Sequence, residues 1–292
     1  MTEKTVLITG CSAGGLGDAL AQEFHAKAYR VFATARSVSK ISHLRSMGMG
    51  TLALDVNDPE SISLAVKTVK GTTGGRLDIL INNSAIGGSM PLLDTPLSLA
   101  RSTYETNVFG PIAVVQAFVP LLIAAQGKVV NIGSIAGIMP LPWQAIYNSS
   151  KAALHHLTYN LRLELAPLGV KVTLVVLGGI DSNFMSNLPK TSLPESSFYI
   201  DIRENIEQYL NGTGTGQTGI AAKPAVYAAK IVQGIIGQKE PQKRIWAGTG
   251  ATLIWFLSTF LWYSVWDLLP PIKLRLKGLQ RRLETRHNIS TD

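Results

Sequence analysis

A chain of 292 residues with 46% hydrophobic and 16% charged residues has enough apolar side chains for one large core or two small ones, which excludes disorder as its main state. Cys11 is the only cysteine, so an internal disulfide and a cysteine-rich zinc site are excluded, and the five histidines show no metal-ligand spacing with acids; no catalytic metal is expected. The net charge is +8, but residues 268–292 hold Lys273, Arg275, Lys277, Arg281, Arg282 and Arg286 against Glu284 and Asp292, a net of +4; half the excess lies in the tail, which argues against a nucleic-acid groove in the body.

Met1 to Lys4 run directly into an apolar strand-like segment, with no room for a cleaved leader, so the body is expected on the cytosolic side. Short runs rich in Val, Ile and Leu then alternate with helix-period segments, the pattern of repeated βα units on a parallel sheet. Strands are expected at Thr5–Thr9, Val31–Thr34, Thr51–Leu54, Ile79–Ile81, Lys128–Ile132, Lys171–Val176 and Arg244–Ala247. Helices are expected near Leu16–Ala26, Ile62–Val69, Leu99–Ala124, Ala145–Ala166 and Lys223–Ile236. The fold class is α/β: a single doubly wound Rossmann-type domain over 1–248, with an apolar helix and basic tail over 249–292. Two segments break the rhythm: 183–222, too long for a connection and read as a substrate lid, and the uncharged run Ala251–Trp266.

Thr9-Gly10-Cys11-Ser12-Ala13-Gly14-Gly15-Leu16-Gly17 follows the first strand and opens the first helix, where free N–H groups and the helix dipole attract a pyrophosphate. Gly10, Ser12, Gly15, Leu16 and Gly17 are the expected contacts. The second strand ends in Arg36, and residues 30–40 contain no acid; a guanidinium suits a 2′-phosphate, so NADP is favoured over NAD. Asp55, ending the third strand, is placed either to bond the adenine amine or to cap the next helix, and Asn83 to shape the loop beneath the adenosine.

Tyr147 and Lys151 are four residues apart and so share one helix face. Chance supplies about 0.4 such pairs in a chain like this one, so the spacing means little alone. Ser134 lies thirteen positions upstream, after the fifth strand, and Asn107 lies on the third expected helix. A positive charge beside a phenol favours phenolate, and this predicts that Lys151 brings the Tyr147 pKa down toward the operating range.

With Gly10, Gly15, Gly17, Asp55, Asn82, Asn83, Asn107, Ser134, Tyr147 and Lys151 in order, the chain resembles the short-chain dehydrogenase/reductases from Thr5 to about Gly248. The resemblance implies that Tyr147 gives its proton to a carbonyl oxygen as the nicotinamide delivers hydride. It implies that Lys151 lowers that pKa and holds the ribose, that Ser134 bonds the substrate oxygen, and that Asn107 holds a water in a proton relay. It also implies that Ile180 and Ser182 face the carboxamide of NADP(H), and that a homodimer or homotetramer forms through the helices carrying Asn107 and Tyr147. The chain departs from the family in one extra residue in the glycine turn, in Ser84-Ala85 where Ala-Gly is usual, and in Leu177 where Pro is usual. Within the family it looks most like fungal 1-acyldihydroxyacetone-phosphate reductases and secondary-metabolite reductases.

From Ala251 to Trp266 a single helix is expected, with Trp255, Thr259, Trp262 and Trp266 on one stripe. Sixteen residues would reach about 24 Å, short of a ~30 Å hydrocarbon core. With the basic tail behind it, this predicts one-sided attachment to an endoplasmic reticulum or lipid-droplet surface; a cover for the core or a dimer contact is the alternative. The lid residues Phe184, Met185, Leu188, Phe198, Tyr199 and Ile202 suit a lipophilic small-molecule substrate. The expected activity is NADPH-dependent reduction of a ketone or aldehyde, or the reverse. The rival is a non-catalytic NADP-binding sensor or scaffold, which would need the glycines but not the Asn107, Ser134, Tyr147, Lys151 set.

Overall fold

The structure is a computed structural model and describes residues 3–184, 192–211, 221–237 and 241–268. In chain order its main elements are β1 (Thr5–Ile8), α1 (Leu16–Ala26), β2 (Arg30–Ala35), α2 (Ser42–Ser46), β3 (Gly50–Ala53), α3 (Pro59–Thr73), β4 (Ile79–Asn82), α4 (Leu97–Tyr104), α5 (Gly110–Ala125), β5 (Lys128–Ile132), α6 (Ala145–Leu165), β6 (Lys171–Leu177), α7 (Arg203–Leu210), α8 (Pro224–Ile236), β7 (Arg244–Ala247), α9 (Ala251–Phe260) and α10 (Val265–Leu268).

All seven strands pair in parallel in the order β3-β2-β1-β4-β5-β6-β7. The period of two sorts β1 cleanly: Val6 and Ile8 join Leu20, Phe24, Ile231 and Ile235 on the α1/α8 face, while Leu7 joins Phe32, Val114, Phe118 and Leu122 on the α3/α5 face. Burial on both faces is why the strands read as apolar runs without polar alternation. The strand order reverses between β1 and β4, so the crevice that binds ligands in such sheets lies at the carboxyl ends of these strands.

The helix expected over 99–124 is two helices joined by a π turn at Glu105–Phe109, in which the Gly110 N–H reaches back to Glu105 O. Pro111 supplies the reason: with no N–H it cannot bond the Asn107 carbonyl, so the turn widens by one residue. Leu97–Ala125 taken together is long and apolar enough to cross a membrane, but Val114, Phe118 and Leu122 are core residues.

The 183–222 segment is not one open loop. Leu193, Ile202 and Ile206 form a small core with Trp143, flanked by Met90 and Tyr199, and Trp143 packs edge-on to Tyr199 at 5.0 Å. Met185 and Leu188 lie outside the described residues. The single apolar helix expected over 251–266 is also corrected: α9 ends at Phe260, Leu261 is extended (φ −115, ψ 159), and α10 follows after a turn. The break destroys the tryptophan stripe. Trp262 is 70% exposed, whereas Trp266 is 2% exposed.

Candidate active site

The glycine turn is fixed from three sides. Cys11 N–H donates to Thr34 O and Ala13 N–H to Lys40 O, while Asn83 Nδ2 donates to both Thr9 O and Gly10 O at 2.9 Å. Thr9 Oγ1 accepts from the N–H groups of Asn83 and Ser84. Asn83 thus shapes the loop as expected. The extra residue is absorbed by a tight turn closed by Gly15 N–H to Ser12 O, with Gly14 at φ +75, a conformation that a side chain would strain. A Cβ on Gly17 would sit against Gly10 O and 2.6 Å from Asn83 Nδ2, so the helix can start this close only at a glycine.

Asp18, absent from the sequence expectations, holds the turn to its surroundings. Its carboxylate accepts from Gly14 N–H and Gln22 at 2.8 Å and meets His43 Nε2 at 2.9 Å. What remains is an anion cradle: among the described residues the Ser12, Leu16 and Gly17 N–H groups have no backbone acceptor, and they stand at the start of an eleven-residue helix. Arg36 is exposed just past β2 and makes no hydrogen bond or ion pair among the described residues. The cradle and a free guanidinium fit a dinucleotide with an extra phosphate. Asp55 does not cap α3; that cap is Asp58, which accepts from Glu60 N–H, and Asp55 Oδ1 instead accepts from Asn57 N–H. Past β6, Gly179 exchanges two backbone bonds with Thr249, which sets the path of Ile180, and Ser182 Oγ accepts from Phe184 N–H.

At the other end of the crevice, helix α6 brings together Tyr147, Lys151 and the loop after β5. Lys151 is 3% exposed; its Nζ donates to Ile132 O at 3.0 Å and stands 5.8 Å from the Tyr147 ring centroid. Ser134 Oγ accepts from Ala136 N–H, and the Ser134 side chain stands near enough to the phenol to oppose the rise of its pKa. Phe184 lies across from Tyr147 at 6.2 Å.

The expected electrostatics need correction. Burial of its hydroxyl end pushes the Tyr147 phenol up to about 12, and the opposing influence is the Ser134 hydrogen bond, with Lys151 not among the causes. Burial likewise lowers Lys151 to about 8. The ammonium sits over the ring and is committed to a backbone carbonyl, and burial opposes the charged form of both groups.

Asn107 is fully buried in the π turn. It accepts from Ile86 N–H, donates to Ile86 O and donates to Ser150 Oγ at 3.1 Å; Ser150 in turn donates to Tyr147 O. It therefore couples α6 to the loop after β4 and contacts neither the phenol nor the ammonium directly. A second buried chain, Asn82 to Asn131 to Thr158, ties β4 and β5 to the same helix.

A doubly wound parallel sheet with this cradle and a Ser, Tyr and Lys cluster at its switch-point crevice defines a Rossmann-type oxidoreductase. The short chain dehydrogenase family model matches residues 4–192, and the chain belongs to that family. It is 40% identical over 272 residues to the short-chain dehydrogenase cctT of Talaromyces islandicus, covering 91% of this chain and 93% of that one. It is 39% identical over 213 residues, 72% of each chain, to the NADPH-dependent 1-acyldihydroxyacetone phosphate reductase of Schizosaccharomyces pombe. Among solved structures, a short-chain dehydrogenase from Streptomyces avermitilis aligns with a TM-score of 0.74 at 26% identity over 98% of both chains. A metagenomic short-chain oxidoreductase in complex with NADP aligns with a TM-score of 0.56 at 27% identity, over 75% of this chain and 95% of that one.

Proposed function

We propose that the protein is an NADPH-dependent reductase that converts a ketone or aldehyde of a lipophilic substrate to an alcohol. The observation that carries the reading is the convergence of half-buried Ser134 and Tyr147 with buried Lys151 at one end of the crevice. Ser12, Leu16, Gly17 and Arg36 would hold the dinucleotide phosphates, with Asp55, Asn83, Ile180 and Ser182 along its length. Bound NADPH supplies the hydride. Ser134 holds the substrate oxygen and Tyr147 passes its proton to that oxygen as the carbonyl is reduced. Lys151, beside the Tyr147 ring, would hold the ribose, and Asn107 keeps α6 in register. The ring of Phe184 lies across from Tyr147 at 6.2 Å, an apolar neighbour that favours a lipophilic substrate. The NADPH-dependent S. pombe relative and the unpaired Arg36 favour NADPH.

Tyr147→Phe keeps the ring and removes the proton. It is expected to bind NADPH as the parent does and to lose at least about a hundredfold in carbonyl turnover; unchanged turnover refutes the role given to Tyr147.

The C-terminal segment supports attachment to the cytoplasmic face of an endoplasmic reticulum or lipid-droplet membrane. Ala251, Ile254 and Trp266 anchor it to the body, while Leu253, Phe256, Phe260, Trp262 and Tyr263 are exposed ahead of the basic tail. Ten residues of α9 span about 15 Å, half a hydrocarbon core, so the segment lies in one leaflet. The full chain should float with anionic phospholipid vesicles and lose that behaviour on Phe256→Ser/Phe260→Ser substitution; equal flotation of both ends this reading. Self-association through α5, the π turn before it and α6, where Phe109, Leu157 and Leu163 are exposed, is the partner reading, and light scattering in detergent reports its stoichiometry.

A further inference from the structure

We propose that His155 is a positioning residue for Ser134: its unprotonated Nε2 accepts the Ser134 N–H and fixes the serine hydroxyl against Tyr147. This rests on the reductase reading above and adds a residue to it. Tyr147, Lys151 and His155 follow at intervals of four along α6 and so form one stripe. All three grip the same short loop. Lys151 holds Ile132 O, His155 takes the Ser134 N–H at 3.2 Å, and the Ser134 side chain stands beside the Tyr147 phenol. Two backbone anchors thus bracket the residue whose hydroxyl must face substrate.

The loop is shaped to the imidazole. A Cβ on Gly133 would collide with His155 Nε2 and lie 2.7 Å from its Cδ2, and one on Gly137 would lie 2.8 Å from its Cε1. The ring is 4% exposed and sits between the two glycines. As an acceptor at Nε2, neutral His155 carries its proton on Nδ1. Burial chiefly keeps it neutral, and the cations Lys151 from α6 and Arg244 from β7 add to it; together they lower it to about 3. A protonated ring would point a second donor at the Ser134 N–H, so the anchor exists only in the neutral form.

The consequence for the reaction is geometric. Releasing the Ser134 N–H lets the loop drift from α6, and displacements near 1 Å at a reacting centre cost on the order of a hundredfold in rate. Since Ser134 also lowers the phenol pKa, a looser loop raises it.

Ring nitrogen NMR on the full-length protein tests the anchor without turnover. His155 should be a neutral Nδ1–H tautomer that does not titrate between about pH 8 and about pH 5; an Nε2–H tautomer, or titration near the ordinary histidine value, overturns the proposal. Kinetics test the consequence. His155→Leu should bind NADPH within about twofold of the parent, lose tenfold or more in kcat with little change in KM, and move the alkaline rise of alcohol oxidation to higher pH. His155→Gln, which keeps an acceptor at similar reach, should recover most of that loss. A folded His155→Leu with parental kcat and pH profile sinks the positioning role. Absence of carbonyl turnover in the parent would instead count against the reductase reading, and the NMR result would still decide the anchor.

Discussion

Lys151 should make the free protein less stable near neutrality than it is at mild alkaline pH. The ammonium is 3% exposed, has a single carbonyl acceptor and is held at about 8 against an ordinary 10.5. The folded-state pKa is the lower one, so the unfolded chain binds the extra proton and stability rises with pH between the two values. Holding the charged form costs roughly 3 kcal/mol at about pH 7, and roughly 2 of those are recovered by about pH 9.5. Tyr147 titrates higher and contributes little below about pH 10. Replacing Lys151 by Met removes the titration while filling a similar volume, at the cost of about 1–3 kcal/mol for the abandoned Ile132 carbonyl. The difference in unfolding free energy between parent and variant should therefore shift by about 2 kcal/mol in the parent's favour from about pH 7 to about pH 9.5. Urea unfolding of the free protein at both pH values measures it. A difference that stays constant across that interval would show that the folded-state pKa is ordinary and the reasoning wrong.

Arg36→Ala should weaken NADPH about 10- to 100-fold in a fluorescence titration and leave NADH nearly unchanged, since only the former offers a phosphate to a charge-assisted pair; an equal loss for both cofactors would mean Arg36 is a surface residue. Gly17→Ala places a methyl against Gly10 O and Asn83, and should cost about 1–3 kcal/mol of stability along with cofactor affinity; a parental denaturation midpoint contradicts the close approach. His155 is held below its ordinary value of 6.5, so the unfolded chain takes up a proton that the folded chain refuses, and stability falls as pH drops from 6.5 toward 3. His155→Leu should flatten that acid limb.

The strands were legible because a parallel sheet buried on both faces must be written as short apolar runs, and β5 and β7 fall where those runs begin and end. Tyr147, Lys151 and Ser134 were legible because spacing along one helix and position after one strand carry most of their geometry. Asp18 and His155 were not. Each takes its meaning from a partner distant in sequence or in the next loop, His43 and Gly14 for one, Ser134 and two glycines for the other, and no local pattern reports such a meeting. The π turn was hidden in Pro111, which looks like an ordinary early-helix proline until the carbonyl it fails to serve is identified as that of Asn107. The direction of the Tyr147 shift was not legible for a related cause: spacing shows that a cation is near, but not that the phenol itself is buried, and burial raises it.

That shift bears on the direction of the reaction. A phenol at about 12 is ionised in roughly one molecule in 10⁵ at about pH 7, so the free site presents a proton donor and almost no base. Reduction of a carbonyl consumes a proton, which this state supplies, whereas oxidation of an alcohol must first bring the phenol down by several pH units. Burial has set both partners of the pair toward their neutral forms, Tyr147 upward and Lys151 downward. A group that brings Lys151 an added acceptor would raise its pKa and strengthen the hold on the ammonium beside the ring. Among the described residues Lys151 has one acceptor, Ile132 O, so that added hold is left to whatever binds in the crevice.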